Sequence, residues 1–273
     1  MNINKQKGFT LVEIAIVLVI IGLLLGGILK GQELINSARV RNMADQSSGI
    51  QAAYYGFIDR YRQVPGDMLG ATACTVVGAA VDTVTPCPAG IIGGVAGSNG
   101  QNGRIDKWGE AGAVWTHMAV SGFLSGTFTG ITTTAALYEG GTVTTPPAVP
   151  ANAFQNAVLL GFTDDYDNGL AANGTVRLAY SFGAAPASIL RELDVKLDDS
   201  LPSTGVVRSS LSEAVASAGE GGGSDDFGTG TAGFQVVTWE TAAGTTCVTN
   251  PDAANATWNV DSDSTRCNAL FLY

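Results

Sequence analysis

The chain has a single histidine, His117, and none of its four cysteines form a C-x-x-C pair. A His/Cys zinc centre therefore lacks its usual ligand spacing. No G-x-S-x-G, Walker A or H-E-x-x-H sequence occurs, so the common hydrolase, nucleotide and zincin chemistries have no motif to rest on. Charge is sparse, at 14% of residues, and basic residues are the scarcer sign: Lys+Arg 14 against Asp+Glu 24, net −10. An acidic surface of this kind argues against phosphate-backbone binding over the bulk of the chain. The clustered cations Arg39/Arg41 and Arg60/Arg62 read as the solvated face of a helix, and no nucleic-acid partner is predicted. Proline is absent before Pro65, so nothing in that stretch forbids one uninterrupted helix.

What the N-terminus has is a long apolar run behind a short basic head. Lys5 and Lys7 precede Gly8-Phe9-Thr10-Leu11-Val12-Glu13, and the run continues to Leu29 with Glu13 as its one charge. At about 1.5 Å per residue, Phe9–Leu29 is long enough to cross a hydrocarbon core of about 30 Å. An ordinary secretory signal has a shorter core closed by a small-residue cleavage site, and no such site follows here. The basic head favours an N-in orientation, with residues 31–273 outside the cytoplasm. A carboxylate this deep in an apolar span is costly unless paired, so Glu13 marks function.

The Gly8-Phe9 junction, Glu13 and the span resemble the signal and N-terminal helix of type IV pilins and type II secretion pseudopilins. The resemblance implies cleavage after Gly8 by a prepilin peptidase, N-methylation of the new terminus Phe9, and a filament-assembly role for Glu13. Cleavage would place a positive amine at Phe9, one turn from Glu13 on the same helix face. Helix starts favour negative charge there as well. The resemblance implies pairing between neighbouring subunits, while the sequence leaves an internal pair equally open. It further implies partners in an inner-membrane assembly platform and other subunits. The implied organisation is a leader at 1–8, a transmembrane and filament-core helix at 9–30, and an external domain at 31–273, in which 31–64 is the amphipathic half of the helix. The expected location is the inner membrane, single-pass, with the domain in the periplasm, then a pilus or a periplasmic pseudopilus.

Beyond the span, Leu34, Ile35, Ala38, Met43, Ile50, Ala53, Tyr54, Phe57, Ile58 and Tyr61 recur at spacings of three and four, the period of an amphipathic helix. It ends at Val64-Pro65-Gly66-Asp67. Gly22, Gly26, Gly27 and Gly31 are expected to loosen this rod locally. Helices are predicted at Trp108–Ser121, stopped by Gly122, and at Ala187–Lys196. Strands are predicted at Thr127–Thr133, Ala157–Phe162, Val176–Phe182, Phe234–Glu240 and Ala269–Tyr273. Residues 68–103 read as an irregular excursion and 217–230 as a flexible loop. The expected class is α+β: a long N-terminal helix packed on an antiparallel β-sheet, pilin-like, with loop-rich insertions.

Cys74, Cys87, Cys247 and Cys267 allow three connectivities, and sequence alone selects none. Export makes bridges the expectation, each worth about 2–4 kcal/mol. Local pairing closes the loops Cys74–Cys87 and Cys247–Cys267, and the second resembles the C-terminal disulfide loop of many type IV pilins. The acidic clusters Asp164/Asp165/Asp167 and Asp261/Asp263 are weak calcium candidates, because calcium takes six to eight oxygens from several chain positions. Asn99–Asp106 resembles a calcium loop with few carboxylates at ligand positions. Solvated acidic turns are the expectation, with no required cofactor. Gly228–Gly233 fits G-x-G-x-x-G but precedes a strand-like run, which is the wrong context. His117, beside Trp115 and Met118, reads as a packed or surface residue. The reading is a structural filament subunit and not an enzyme. The alternatives are a minor pseudopilin of type II secretion, or a tip subunit for adhesion or DNA binding.

Overall fold

The computed structural model describes residues 11–68, 102–128, 137, 147–164, 166–169, 175–209, 247–250, 253–261, 265 and 267–273. The first element, α1, runs unbroken from Leu11 to Tyr61 as 51 residues of helix. The proline-free, Leu/Ile/Ala-rich sequence permits this, and the four glycines of the span do not interrupt it. Arg62 ends the helix in a left-handed conformation, φ 56°, with its N–H donating to the Ile58 carbonyl at 2.8 Å. That is the usual geometry of a helix stop, with arginine standing where glycine is more common.

Two shorter helices follow, α2 (Trp108–Val120) and α3 (Ala187–Leu197). Gly122 supplies the expected stop of α2: at φ 81° its N–H donates to Ala119 O at 3.0 Å, while Phe123 N–H donates to Met118 O at 2.9 Å. This is a Schellman closure, which satisfies carbonyls that the last turn leaves unpaired. Pro186 stands immediately before α3 with φ −64°, a position where its missing N–H costs nothing.

The sheet is formed by β1 (Val158–Thr163), β2 (Arg177–Ala185), β3 (Val207–Arg208) and β6 (Cys267–Leu272), in the order β1-β2-β6-β3. All pairings are antiparallel. Strands β4 (Val248–Thr249) and β5 (Thr257–Trp258) form a separate small hairpin. Every residue of β6 is buried, as its central place in the sheet requires. Tyr180 lies opposite Phe271 and Phe182 opposite Ala269, and the rings of Tyr180, Phe182 and Phe271 stand 5.3–6.1 Å apart. Such cross-strand aromatic groups stabilise a sheet face. The fold is α+β, a long helix on an antiparallel sheet, as expected.

Three expectations change. The buried face of α1 begins at Val40, not Leu34: Leu34, Ile35 and Ala38 are exposed, while Val40, Met43, Ser47, Ile50, Ala53, Tyr54 and Phe57 are buried. Leu34 and Ala38 lie on the outward face of the helix with Arg41, Asp45 and Ser48, while Ile35 precedes the first contacts of the domain with α1, at Ser37 and Arg39. Thr127 and Phe128 lie outside any strand, with Phe128 packed against the core. The rest of 127–133, the run Phe234–Glu240, the loop 217–230 and the motif Gly228–Gly233 fall outside the described residues. The acids Asp164 and Asp167 are buried, 8% and 0% exposed, where solvated turns were expected. The Asp167 backbone N–H donates to Ser209 O and its carbonyl accepts from Arg208 Nη1, which draws that turn against the end of edge strand β3.

Candidate functional site

The feature that the fold leaves unburied is the first half of α1. Every residue from Leu11 to Lys30 is exposed, with Leu11 at 91%, Leu23 at 74% and Leu29 at 67%. A continuous apolar surface of this size has to meet another apolar phase or another chain. Among the described residues, α1 is the one helix long and apolar enough to cross a membrane, with mean hydropathy 2.8 over its apolar window. The Lys30 ammonium and the Glu33 carboxylate, 2.7 Å apart, mark its polar end.

The stem carries Gly22-x-x-x-Gly26 and Gly27-x-x-x-Gly31. A Cβ at any of the four would meet nothing within 4 Å, so the glycines present bare backbone outward instead of packing against the domain. Small residues at this spacing let a second helix approach closely in lipid. Glu13 sits in the first turn of α1 and is exposed in the single chain. Gly8 and Phe9 precede the described residues.

The second half of α1 is gripped by the domain. Val40, Met43, Ile50, Tyr54 and Phe57 enter the core with Trp115 of α2 and Leu193 of α3. Polar bonds fix its rotation: Gln46 Nε2 donates to Ala151 O at 2.9 Å, and the Tyr273 hydroxyl bonds Ser47 at both O and Oγ. The chain terminus is thereby tied to the middle of the stem helix. Where α1 turns toward α2, Gly66 N–H donates to His117 Nδ1 at 2.9 Å. Burial pushes the His117 pKa down to about 4, so the ring is a neutral acceptor, a packed residue as expected. Gly66 has φ 94°, and a Cβ there would fall 2.8 Å from Glu110 O.

Glu110 was not singled out by sequence. It is fully buried, and its Oε2 accepts the N–H groups of Asp106 and Lys107 at 3.0 and 3.2 Å. Burial, with Asp106 and Asp67 nearby, pushes its pKa up to about 8. The available signal was its place three residues inside a helix start, where a Glu reaches back to orphan N–H groups.

Cys247 and Cys267 are joined, with Cα atoms 5.6 Å apart, linking the start of β4 to the start of β6. Cys74, Cys87, Asp165 and Asp263 lie outside the described residues, as does 69–101, which holds most of the expected excursion. Asp261 is exposed. Arg39, Arg41, Arg60 and Arg62 are all exposed, as expected of a solvated face. Arg39 lies over the Phe154 ring at 5.0 Å, and Arg62 pairs with Asp59 at 3.4 Å.

Residues 3–29 match the family model described as the prokaryotic N-terminal methylation motif. The exposed stem begins with a prepilin signal. No curated protein and no solved structure matches the chain. The signal is that of type IV pilins and pseudopilins, and it implies processing by a prepilin peptidase and assembly with other pilin subunits. With the apolar stem it fits membrane anchoring ahead of a pilus or pseudopilus. It points to a structural pilin-like subunit and away from an enzyme.

Proposed function

We propose that the chain is a type IV filament subunit cut after Gly8 and N-methylated at Phe9. The observation that supports this most is the continuity of the methylation motif with a helix whose first half is wholly exposed and whose second half is locked in a folded domain. In this reading residues 1–8 are the leader, 9–30 span the inner membrane and later form the fibre core, and 31–273 fold outside the cytoplasm. Glu13 meets the new amine of a neighbouring subunit, and the bare glycine backbone of the stem allows close packing in the core. The large domain and the proline-free α1 favour a minor subunit over the bulk protein of the fibre.

Mass spectrometry of filaments sheared from native cells tests this. The expected result is an N-methyl-Phe9 peptide at low abundance relative to other subunits. A dominant Phe9 peptide would make the chain the main fibre protein. Processed protein confined to the membrane would place it in a secretion pseudopilus. Gly8→Ala is expected to leave an uncut precursor and no incorporation. Cleavage elsewhere in the chain would overturn the assignment.

A further inference from the structure

At the end of α3 the chain turns through Asp198-Asp199-Ser200-Leu201-Pro202 toward β3. One carboxylate oxygen from each of Asp194, Asp198 and Asp199 lies within 4.8 Å of the others. Asp194 is completely buried. Its Oδ2 accepts the Trp258 indole N–H at 2.7 Å, whereas its buried Oδ1 has no hydrogen-bond partner of ordinary geometry, the Ser200 backbone N–H being the other donor near the carboxylate. A buried carboxylate oxygen without a partner is costly, and two more carboxylates beside it add like-charge repulsion. Among the described residues no cation pairs with any of the three. Lys196, the nearest in sequence, is engaged by Glu192 at 2.6 Å and Ser37 at 3.1 Å. Of the basic residues only Lys5, Lys7 and Arg266 fall outside the described chain.

The other two acids are held in place by the turn. Asp198 Oδ2 accepts the Val206 N–H and, at 3.1 Å, the Val207 N–H. Asp199 accepts from Leu201 N–H at 3.0 Å and from the Thr204 hydroxyl. These bonds leave each carboxylate further lone pairs, and they fix its orientation as supporting groups do for metal ligands. Asp199 is exposed and Asp198 half-buried, so water can reach the open side.

We propose that Asp194, Asp198 and Asp199 form a calcium site that closes the turn between α3 and β3. The donors are all oxygen, which selects a hard cation over zinc or copper. Calcium, with ligand distances of about 2.3–2.6 Å, spans oxygens this far apart and completes its shell with water. Magnesium demands a tighter octahedron. The ion neutralises the crowded carboxylates and, through Asp194 and Trp258, joins α3, the turn and the β4–β5 hairpin. This site is distinct from the acidic clusters at Asp164/Asp165/Asp167 and Asp261/Asp263. It does not depend on the filament reading, which its failure would leave untouched.

The test is calorimetric titration of the full chain in detergent micelles, first stripped with EDTA. One calcium per chain is expected, with a dissociation constant of about 10⁻³ M or tighter. Asp198→Asn and Asp199→Asn keep the acceptor oxygens of the turn and should weaken binding at least about tenfold. Their melting temperatures in EDTA should equal or exceed that of the wild type, since each removes one of the crowded charges. A second arm needs no variant. Terbium seated beside Trp258 should show tryptophan-sensitised emission that calcium, but not equimolar magnesium, abolishes. No saturable calcium binding up to millimolar concentration, or equal binding in both variants, would overturn the proposal. So would the lack of calcium-displaceable terbium emission.

Discussion

At the scale of single residues, the domain is defined by polar groups that burial has forced out of their usual protonation behaviour. Glu110 and His117 lie on the same short helix and are shifted in opposite directions, to about 8 and about 4. A carboxyl whose folded pKa is raised holds a proton that the unfolded chain has already lost. Its contribution to stability is therefore complete below about pH 4.5 and falls as pH rises toward 8. The histidine acts in the reverse sense, because its neutral form is favoured in the fold and stability is lost as pH drops from about 6.5 toward 4. Where these ranges overlap, from about pH 4.5 to about pH 6.5, the two slopes oppose each other. Glu110→Gln keeps an acceptor for the Asp106 and Lys107 N–H groups and removes the titration. The variant should gain on the wild type progressively from pH 4.5 to 8, by an amount on the order of a few kcal/mol at the upper end. Urea unfolding at several pH values measures it, and a pH-independent difference would show that the Glu110 charge is not desolvated as described. The packing of His117 was among the readings the sequence offered, but the burial of Glu110 was not. Glu110 reads there as an ordinary first-turn acid, and its burial depends on where Asp67 and the end of α1 come to rest.

At the scale of elements, local chemistry carried further. The Gly122 stop of α2 and, to within a residue, the bounds of α3 follow from periodicity, proline and glycine and were visible in advance. By contrast, α1 stops at Tyr61, ahead of the expected Val64–Asp67, because Arg62 takes the left-handed conformation. Strands β1, β2 and β6 were readable as apolar runs, but the order β1-β2-β6-β3 was not. It places the last strand of the chain between the second and third, a non-local pairing that no local signal encodes. The Cys247–Cys267 bond acts on this arrangement by tying the start of β6 to β4, next to the hairpin. Replacing both cysteines with serine, which leaves Cys74 and Cys87 untouched, should lower stability by about 2–4 kcal/mol. Thermal unfolding in oxidising buffer reads the loss, and the wild type under mild reduction should approach the double variant. An unchanged midpoint would mean that pairing within the sheet alone fixes β6.

At the scale of the whole molecule, one helix serves two environments, and the boundary between them is the part that sequence placed wrongly. Apolar residues at helical spacing look alike whether they face their own core, lipid or a neighbouring subunit. Ile35, five turns before Ala53, continues the edge of the buried face, yet it is 54% exposed, just past the Lys30–Glu33 pair that ends the span. Leu34, 62% exposed, stands on the opposite face. Val40 is the first of the α1 residues to be fully covered by the domain. The uncovered residues between are too polar in company to lie deep in lipid and too apolar to be left in water. Under the proposed assembly these residues are the surface that the domain of a neighbouring subunit would cover. Ile35→Glu should therefore leave the fold intact, since exposed substitutions away from special features change stability by about 0.5 kcal/mol or less. The same change should sharply reduce recovery of the processed chain in sheared filaments, because it would bury an unpaired carboxylate at that contact. Melting temperature and filament incorporation, measured on the same variant, separate the two roles of the helix. A drop in melting temperature would mean that Ile35 belongs to the core after all. Normal incorporation would mean that the contact between subunits is confined to the span.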